Sequence, residues 1–307
     1  MQLITFADNA GQVHYGCDLG ERVIQLDQAL RVVAPFSARD GFSEVPATMI
    51  EFLAADAVAL QSARQALELV DSGSDLLDSA VLPKREVQIL APVPSPSKIV
   101  AIGRNYRDHA AEAALTLPKI PRIFAKFPSI VIGDGAVIVK PRATERLDWE
   151  VELAVVIGRT ASRVSEETAL EYVVGYTLLN DVSARDIQFS EPEQLTLAKN
   201  YRSFAPMGPS VVTKDELPDP ANIRLKTWVN GELMQDGSTR DLIFSVRQLV
   251  SFVSGVLDLV PGDLIATGTP SGVGYFRDPP RFLSDGDVVT MDLAGMCSLT
   301  NRVQDER

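Results

Sequence analysis

The chain has 307 residues, of which 46% are hydrophobic and 23% charged, a composition that is typical of a globular protein and too apolar for a disordered one. Its formal net charge of −12 at pH 7 argues against a nucleic-acid partner, because phosphate binding needs clustered Lys and Arg residues. The same acidity argues against binding to an anionic membrane surface.

Two cysteines, Cys17 and Cys297, lie far apart in the chain, and neither belongs to a paired Cys motif. A disulfide framework is therefore not expected, and we predict a reducing, cytoplasmic setting. The sequence also shows no leader-peptide pattern, and no apolar run of the roughly 18 residues that a membrane helix needs.

Residues 1–90 are predicted to form a small α+β module. Short strand-like runs at 3–6, 13–17 and 22–26 alternate with turn residues. Two segments with Ala, Leu and Glu at helical spacing follow, at 46–55 and 58–70.

A Pro/Ser-rich stretch at 91–97 marks an expected domain boundary, since alternating prolines favour a stiff, extended connection. A larger domain is expected over 97–307. Its predicted strands lie at 99–102, 136–139, 150–157, 176–181, 223–229, 263–267 and 288–293, and its predicted helices at 107–114, 165–172 and 245–257. Many strands and few helices indicate a mixed α+β fold, mainly β, with a rolled or barrel-like sheet.

Two acidic residues, Glu150 and Glu152, begin an apolar strand, and residues two apart on a strand share a face. A hard divalent cation such as Mg²⁺ or Mn²⁺ relieves the repulsion between them, whereas the alternative is a solvated strand face. Asp181 follows another apolar strand and either completes a three-carboxylate site or caps a helix. Replacing Glu150 or Asp181 by Ala is then expected to cost little stability, because it relieves repulsion.

Histidine is scarce: the chain holds only His14 and His109, which excludes a histidine-rich zinc site. His109 and Glu112 are three residues apart on an expected helix and face the same way. A carboxylate beside an imidazole orients it and makes it a better base for activating water. The alternative interpretation is a surface ion pair.

Glycine and proline cluster at 266–274, directly after an expected strand. Such a loop either lets the backbone approach a ligand oxygen closely or is a plain turn. The chain has no phosphate-loop, dinucleotide-binding or G-x-S-x-G pattern, which disfavours nucleotide binding and serine hydrolysis.

Six ordered motifs together resemble the fumarylacetoacetate hydrolase family. The resemblance covers roughly residues 97–303, which correspond to the catalytic domain of that family, and the preceding part resembles its variable N-terminal module. The motifs are Gly103-Arg104-Asn105-Tyr106 with Asp108-His109, Trp149-Glu150-Val151-Glu152-Leu153, Asn180-Asp181 with Ala184-Arg185-Asp186, Leu197-Ala198-Lys199, Val229-Asn230-Gly231-Glu232, and Gly268-Thr269-Pro270 with Gly272-Val273-Gly274.

The resemblance implies a β-roll catalytic domain, usually found as a homodimer, and a small 2-oxo or diketo acid as substrate. It implies that Glu150, Glu152 and Asp181 bind Mg²⁺ or Mn²⁺, with Ca²⁺ as a further candidate. His109 and Glu112 would then activate water on a mobile lid, which we expect over residues 110–117.

The resemblance further implies that Lys199 stabilises an enolate or oxyanion, where negative charge develops. It also implies that Arg185, Gln188 and Thr269 contact the substrate carboxylate or the metal-bound oxygens. Arg202 departs from the family pattern, which carries an Asp after the lysine motif. We interpret it either as a surface arginine or as a cation at the pocket mouth that selects a substrate with a second acidic group.

A 2-oxo acid or 1,3-diketone binds a metal through two oxygens, and the metal polarises the carbonyl group. The resulting enolate chemistry supports hydrolysis if water attacks, decarboxylation if CO₂ leaves, or isomerisation if only a proton moves. The His109–Glu112 pair favours hydrolysis of a C–C bond in an acylpyruvate-like or diketo acid. The alternatives are an oxaloacetate-type decarboxylase, a 2-hydroxy-dienedioate isomerase and, from another class, a non-catalytic ligand-binding protein.

Overall fold

A computed structural model describes residues 1–33, 44–112 and 116–307. Its N-terminal part has the three strands and two helices that the sequence predicts, with boundaries shifted by a few residues, and in addition one helix and two short strands. These elements are β1 (Gln2–Ala7), β2 (Val13–Asp18), β3 (Arg22–Gln25), α1 (Leu26–Val33), α2 (Met49–Ala54), α3 (Asp56–Asp71), β4 (Val81–Pro83) and β5 (Gln88–Ile89). The sequence did not predict α1, β4 and β5.

Local sequence explains how the helices α2 and α3 form and pack. The Thr48 side chain accepts a hydrogen bond from the Glu51 backbone N–H and caps the start of α2. The buried stripe of α3 consists of small residues, Ala59, Ser62, Ala63 and Ala66, which allow it to lie close to its neighbours.

The larger part of the chain is dominated by strands. Its elements are β6 (Ile99–Gly103), α4 (Arg107–Glu112), β7 (Arg122–Lys126), β8 (Val131–Ile132), β9 (Val137–Lys140), β10 (Leu147–Asp148), β11 (Val151–Ile157), β12 (Val173–Asn180), β13 (Ser183–Ala184), α5 (Arg185–Gln188), α6 (Leu195–Ala198), β14 (Ala205–Thr213), β15 (Arg224–Val229), β16 (Glu232–Ser238), α7 (Val246–Val256), β17 (Leu264–Ala266), β18 (Val288–Leu293) and β19 (Cys297–Asp305).

One sheet crosses the expected domain boundary. Its strands follow the order β4-β3-β2-β1-β14-β12-β11-β17-β6-β7, so the N-terminal meander continues the sheet of the larger part. The junction is the antiparallel pair β1–β14, in which Leu3 lies opposite Val211. The two expected units therefore share a backbone hydrogen-bond network.

The polypeptide packs in layers around that sheet, as a mixed α+β fold that is mainly β. Along β11, Val151, Leu153 and Val155 enter one core, shared with the separate sheet β16-β15-β18-β19-β9. The alternate residues Ala154 and Val156 enter a second core, shared with α1, α2 and α3. Both faces of the central strands are thus buried, as their continuous apolar sequences predict. No helix in the described ranges is both long and apolar enough to span a membrane.

In the larger part, the structure departs from the sequence predictions at one expected helix and at strands such as β14. The helix expected at 165–172 is wrong, because the chain there makes turns and only a short 3₁₀ helix, Ala169–Tyr172. The helix expected at 107–114 is confirmed to Glu112, and its last two positions lie outside the described residues, as does part of the lid expected over 110–117. The sequence did not predict β14, because Pro206 and Pro209 are typical of a loop or a strand edge.

Candidate active site

Strand pairing brings three carboxylates together. In the β11–β12 ladder Val151 lies opposite Asn180, which places Glu150 and Asp181 side by side at the end of the pair. The Asp181 backbone N–H donates to the Glu150 carbonyl oxygen at 2.9 Å. Glu152 completes the group, in which one oxygen from each carboxylate lies within 4.8 Å of the others, and all three side chains are buried. The predicted cluster is therefore present, and the helix-cap alternative for Asp181 is not needed.

Three buried cations surround two of these carboxylates. Lys199 Nζ lies 2.8 Å from Glu150 Oε2 and 2.7 Å from Asp181 Oδ2. Lys126 Nζ lies 2.5 Å from Asp181 Oδ1 and donates to the Lys199 carbonyl oxygen at 2.7 Å. Arg185 Nη2 lies 2.7 Å from Glu150 Oε1, an ion pair without a hydrogen-bonding angle.

The neighbouring charges set opposite protonation tendencies within the cluster. Burial opposes the charge of Glu150, but Lys199 and Arg185 prevail and hold the pKa of its carboxyl well below the usual range. Burial raises the pKa of Glu152 well above its usual value, and the charges of Asp181 and Glu150 raise it further. In the described part of the chain, no Lys or Arg forms an ion pair with Glu152.

This arrangement changes one sequence-based expectation. Removing Glu150 or Asp181 would not relieve repulsion, because each carboxylate is paired with buried cations that would be left uncompensated. Only Glu152 fits the picture of an uncompensated carboxylate.

A buried aspartate, Asp148, holds the Arg185 side chain in place. Arg185 Nε donates to Asp148 Oδ2 at 2.8 Å, and its Nη1 donates to Gln188 Oε1 at 2.9 Å. Asp148 also accepts the backbone N–H groups of Gly274 at 2.7 Å and Tyr275 at 3.0 Å. The guanidinium is thereby oriented before any ligand binds, although sequence analysis assigned Asp148 no role.

The glycine-rich loop after β17 lies against the cluster. The Gly268 N–H donates to Glu152 Oε2 at 2.8 Å, so the loop backbone lies directly against the carboxylate cluster. Thr269 is held by Gln235, whose Nε2 donates to the Thr269 hydroxyl at 2.8 Å. The Gln235 oxygen accepts the Val151 N–H at 3.0 Å, so this buried amide connects the loop to β11.

The short helix α4 carries the His109–Glu112 pair and is fastened to the same loop. His109 Nδ1 lies 3.1 Å from Glu112 Oε2, and Glu112 Oε1 accepts the Gly272 N–H at 3.0 Å. Asp108 accepts both the N–H and the hydroxyl of Ser271. The pair is partly buried and is not a solvated surface ion pair. Because Glu112 occupies Nδ1, the other ring nitrogen, Nε2, is left for a ligand.

These groups surround one cavity of about 280 Å³, a volume suited to a small molecule. Eight of the ten predicted site residues line it: His109, Glu150, Glu152, Asp181, Arg185, Gln188, Lys199 and Thr269. Glu112 contacts the cavity through His109. Arg202 is exposed and does not line the cavity.

Sequence reasoning missed several residues that shape the site. Lys126 lies on β7, a strand that was not predicted, because the sequence Arg-Ile-Phe-Ala-Lys does not alternate apolar with polar residues: Ile123 is exposed and Lys126 is buried. Gln235 lies on β16, which was also missed. Two further cavity residues, Arg104 and Arg122, supply cations that we had sought at Arg202.

The donor set fits a hard divalent cation. It consists of carboxylate oxygens, without histidine or cysteine, and Glu152 is buried without a compensating cation in the described ranges. Mg²⁺ and Mn²⁺ prefer such oxygen ligands. Glu150, Glu152 and Asp181 are the residues that would hold the ion.

Comparison with known proteins agrees with this geometry. The sequence model of the fumarylacetoacetate (FAA) hydrolase C-terminal family matches residues 98–304. The chain is 42% identical over 260 residues to the mitochondrial oxaloacetate tautomerase FAHD2B of Bos taurus, covering 84% of this chain and 80% of that protein. It is 41% identical over 263 residues to the oxaloacetate tautomerase YisK of Bacillus subtilis, covering 84% and 87%. A crystal structure of maleylpyruvate hydrolase from Sphingobium sp. SYK-6, in complex with manganese(II) and pyruvate, matches over all of both chains with a TM-score of 0.75 and 28% identity.

Proposed function

The chain belongs to the fumarylacetoacetate hydrolase family, and from its site we propose that it is a divalent-metal-dependent enzyme that interconverts the keto and enol forms of an oxaloacetate-type 2-oxo acid. The observation that carries this proposal is the convergence of three buried carboxylates, Lys199 and His109 on one small cavity. Sequence analysis ranked hydrolysis first. The similarity to oxaloacetate tautomerases, at 42% and 41% identity, favours a reaction in which only a proton moves.

A divalent cation bound to Glu150, Glu152 and Asp181 would act as a Lewis acid toward the 2-oxo group of the substrate. Keto-to-enol conversion removes a proton from C3 and adds one to the C2 oxygen. His109, oriented by Glu112, accepts the C3 proton and then delivers it to that oxygen.

Lys199 stabilises the negative charge that develops on the C2 oxygen. Burial opposes its positive charge, but Asp181 and Glu150 prevail and raise its pKa above the usual value, so the ammonium stays protonated. Arg185 is held in place by Asp148 and is positioned to bind the C1 carboxylate.

A second candidate is hydrolysis of a C–C bond in an acylpyruvate-like acid. The specific observation in its favour is the His109–Glu112 pair, because water needs a base to become a nucleophile. The structural similarity to maleylpyruvate hydrolase supports it as well. A homodimer and a cytoplasmic setting stay predictions.

The test follows three reactions with one protein sample. Oxaloacetate enol decay is measured against the uncatalysed rate in the same buffer, and oxaloacetate decarboxylation and acylpyruvate cleavage are measured in parallel. We expect the first reaction to be fastest, to be lost after chelation, and to return with Mg²⁺ or Mn²⁺. Full activity in metal-free protein would overturn the metal assignment, whereas cleavage faster than tautomerisation would favour the second candidate.

Replacing His109 by Ala divides the reactions further. We expect tautomerisation and hydrolysis to fall by about 10²- to 10⁴-fold, the usual contribution of a positioned base, and decarboxylation to fall much less. Mn²⁺ binding should be retained, because His109 is not among the three ligands. An equal loss in all three reactions would make His109 a residue that binds substrate or closes the site.

A further inference from the structure

Two arginines line the same cavity as the carboxylate cluster and carry the opposite charge. Arg104 and Arg122 are both partly buried and both border the same cavity as Glu150, Glu152 and Asp181. Neither guanidinium makes a side-chain hydrogen bond or an ion pair within 4.0 Å to any residue in the described ranges. By contrast, the third arginine of the cavity, Arg185, is tied to Asp148.

Strand β7 connects these arginines to the carboxylate cluster. Arg122, Phe124 and Lys126 alternate along it and share one face, and Lys126 contacts Asp181 at the far end. Arg122 and Lys126 are four positions apart along the strand, a Cα distance of roughly 13 Å. Arg122 therefore enters the cavity from the end away from the carboxylates.

Arg104 reaches the cavity from the adjacent strand. Gly103, the last residue of β6, lies opposite Arg122 in the antiparallel β6–β7 ladder. A Cβ at Gly103 would lie 3.7 Å from Arg122 Cδ, so the arginine stem passes over this glycine. Both arginines thus leave neighbouring strands at the same level.

The backbone at Arg104 adopts an unusual conformation, with φ of +60°. The next residue fixes this turn, since Asn105 Nδ2 donates to the Thr267 carbonyl at 2.8 Å and its Oδ1 accepts the Phe244 N–H at 2.8 Å. The position of Arg104 is therefore set by buried hydrogen bonds and not by a partner of its guanidinium.

The two positive charges influence each other. Burial lowers the pKa of Arg104, and the charge of Arg122 lowers it further, against an opposing effect of Glu193. Like charges held together in a partly buried cavity are stabilised by an anion, and a guanidinium pair suits a carboxylate that accepts several hydrogen bonds.

We propose that Arg104 and Arg122 bind the second carboxylate of a 2-oxo dicarboxylic acid whose reacting end lies against Glu150, Glu152 and Asp181. This inference rests on the proposed function, since it takes that substrate class and assigns its distal group. The cavity is then divided by charge, with a carboxylate cluster for the 2-oxo acid end and an arginine pair for the other end. Arg122 is the residue that selects diacids over monoacids.

The test compares inert ligands that differ only at the distal end. Malate and lactate share a 2-hydroxy acid group, and only malate has a second carboxylate. Their binding to the Mn²⁺-loaded protein is measured by calorimetry, with oxalate, which has no distal group, reporting on the carboxylate cluster. The variants are Arg122→Gln, Arg122→Lys and, as a matched control outside the cavity, Arg202→Gln.

We expect the unmodified protein to bind malate at least tenfold more tightly than lactate. Arg122→Gln should weaken malate binding roughly ten- to hundredfold, the usual effect of losing a hydrogen-bonded charge, and leave oxalate within about twofold. Arg122→Lys should give an intermediate loss, because it keeps the charge without the bidentate geometry. Arg202→Gln should leave the affinities for malate and oxalate unchanged.

Equal binding of malate and lactate by the unmodified protein would overturn the inference without any variant. Equal weakening of malate and oxalate in a folded Arg122→Gln protein would also overturn it, as would the same selective loss in Arg202→Gln. Turnover is read separately, from oxaloacetate and its 4-methyl ester. If neither compound is converted while malate binding still depends on Arg122, the proposed reaction is wrong. The assignment of Arg104 and Arg122 as the binding site for the second carboxylate is then still supported.

Discussion

Replacing Lys126 by Met tests how the active site balances its charges. Lys126 is fully buried, lies 2.5 Å from Asp181 Oδ1 and also donates to the Lys199 carbonyl. Removing one partner of a buried ion pair typically costs about 3–5 kcal/mol. Asp181 keeps Lys199 at 2.7 Å, so we expect the lower end of that range. With an unfolding entropy of roughly 2 cal/mol/K per residue, the melting temperature of metal-free protein should fall by about 5 °C.

The same substitution, which lowers stability without metal, should strengthen metal binding. Lys126 and a cation on Asp181 carry charges of the same sign, and at a separation of about 5 Å and an effective dielectric constant of ~20 their repulsion amounts to several kcal/mol. Desolvation and local rearrangement reduce this value, and we expect Lys126→Met to bind Mn²⁺ at least tenfold more tightly. Saturating Mn²⁺ should therefore restore most of the lost melting temperature.

Thermal unfolding with chelator and with Mn²⁺, together with calorimetric titration of Mn²⁺, measures both effects. Lys98→Met is the matched control, because Lys98 pairs with the buried Asp263 but does not line the cavity. The control should lose stability with no change in Mn²⁺ affinity. Weaker Mn²⁺ binding by Lys126→Met, or an unchanged melting temperature without metal, would refute the charge argument.

Four further substitutions separate local effects. Glu152→Gln should raise the melting temperature of chelator-treated protein by a few degrees and abolish tight Mn²⁺ binding. The reason is that it removes a buried carboxylate whose pKa is raised by burial and by its acidic neighbours. A lower melting temperature would contradict this charge argument. Ser245→Ala should cost about 1 kcal/mol in denaturant unfolding without changing turnover, since its hydroxyl caps α7. Gly274→Ala should prevent correct folding of the site, because a Cβ there would lie 1.9 Å from the Arg281 carbonyl oxygen. Gly255→Ala is the control: a Cβ at this position of α7 meets open space, so the substitution should stabilise the protein by about 0.5–1 kcal/mol in denaturant unfolding.

The carboxylate cluster could be predicted because its signals are local. The two-residue spacing of Glu150 and Glu152 places both on one face of a strand, and Asp181 follows an apolar run that reads as another strand. The pairing of those strands, which sets Glu150 against Asp181, is a long-range feature that no local pattern encodes. The resemblance to a known family supplied that connection.

The cations were harder to predict for a related reason. Lys126 and Arg122 lie on a strand whose neighbour, β6, is some 20 residues earlier, and their direction is known only once that pairing is known. The position of Arg202 after the lysine motif made it a candidate cation at the pocket mouth, yet the turn that contains it leaves the side chain exposed. Sequence spacing identified which charges to expect, and the sheet decided which of them face the ligand.

The pairing of β1 with β14 also bears on how the protein can be divided. If residues 1–90 were cut away, β14 would present a row of unpaired backbone groups beside apolar residues such as Val211 and Val212, which are fully buried in the intact chain. Such an edge is a template for association with other chains, so a fragment starting at residue 97 would aggregate instead of yielding a smaller enzyme. The N-terminal segment thus serves as a permanent cover for a strand two neighbours away from the one that carries Glu152.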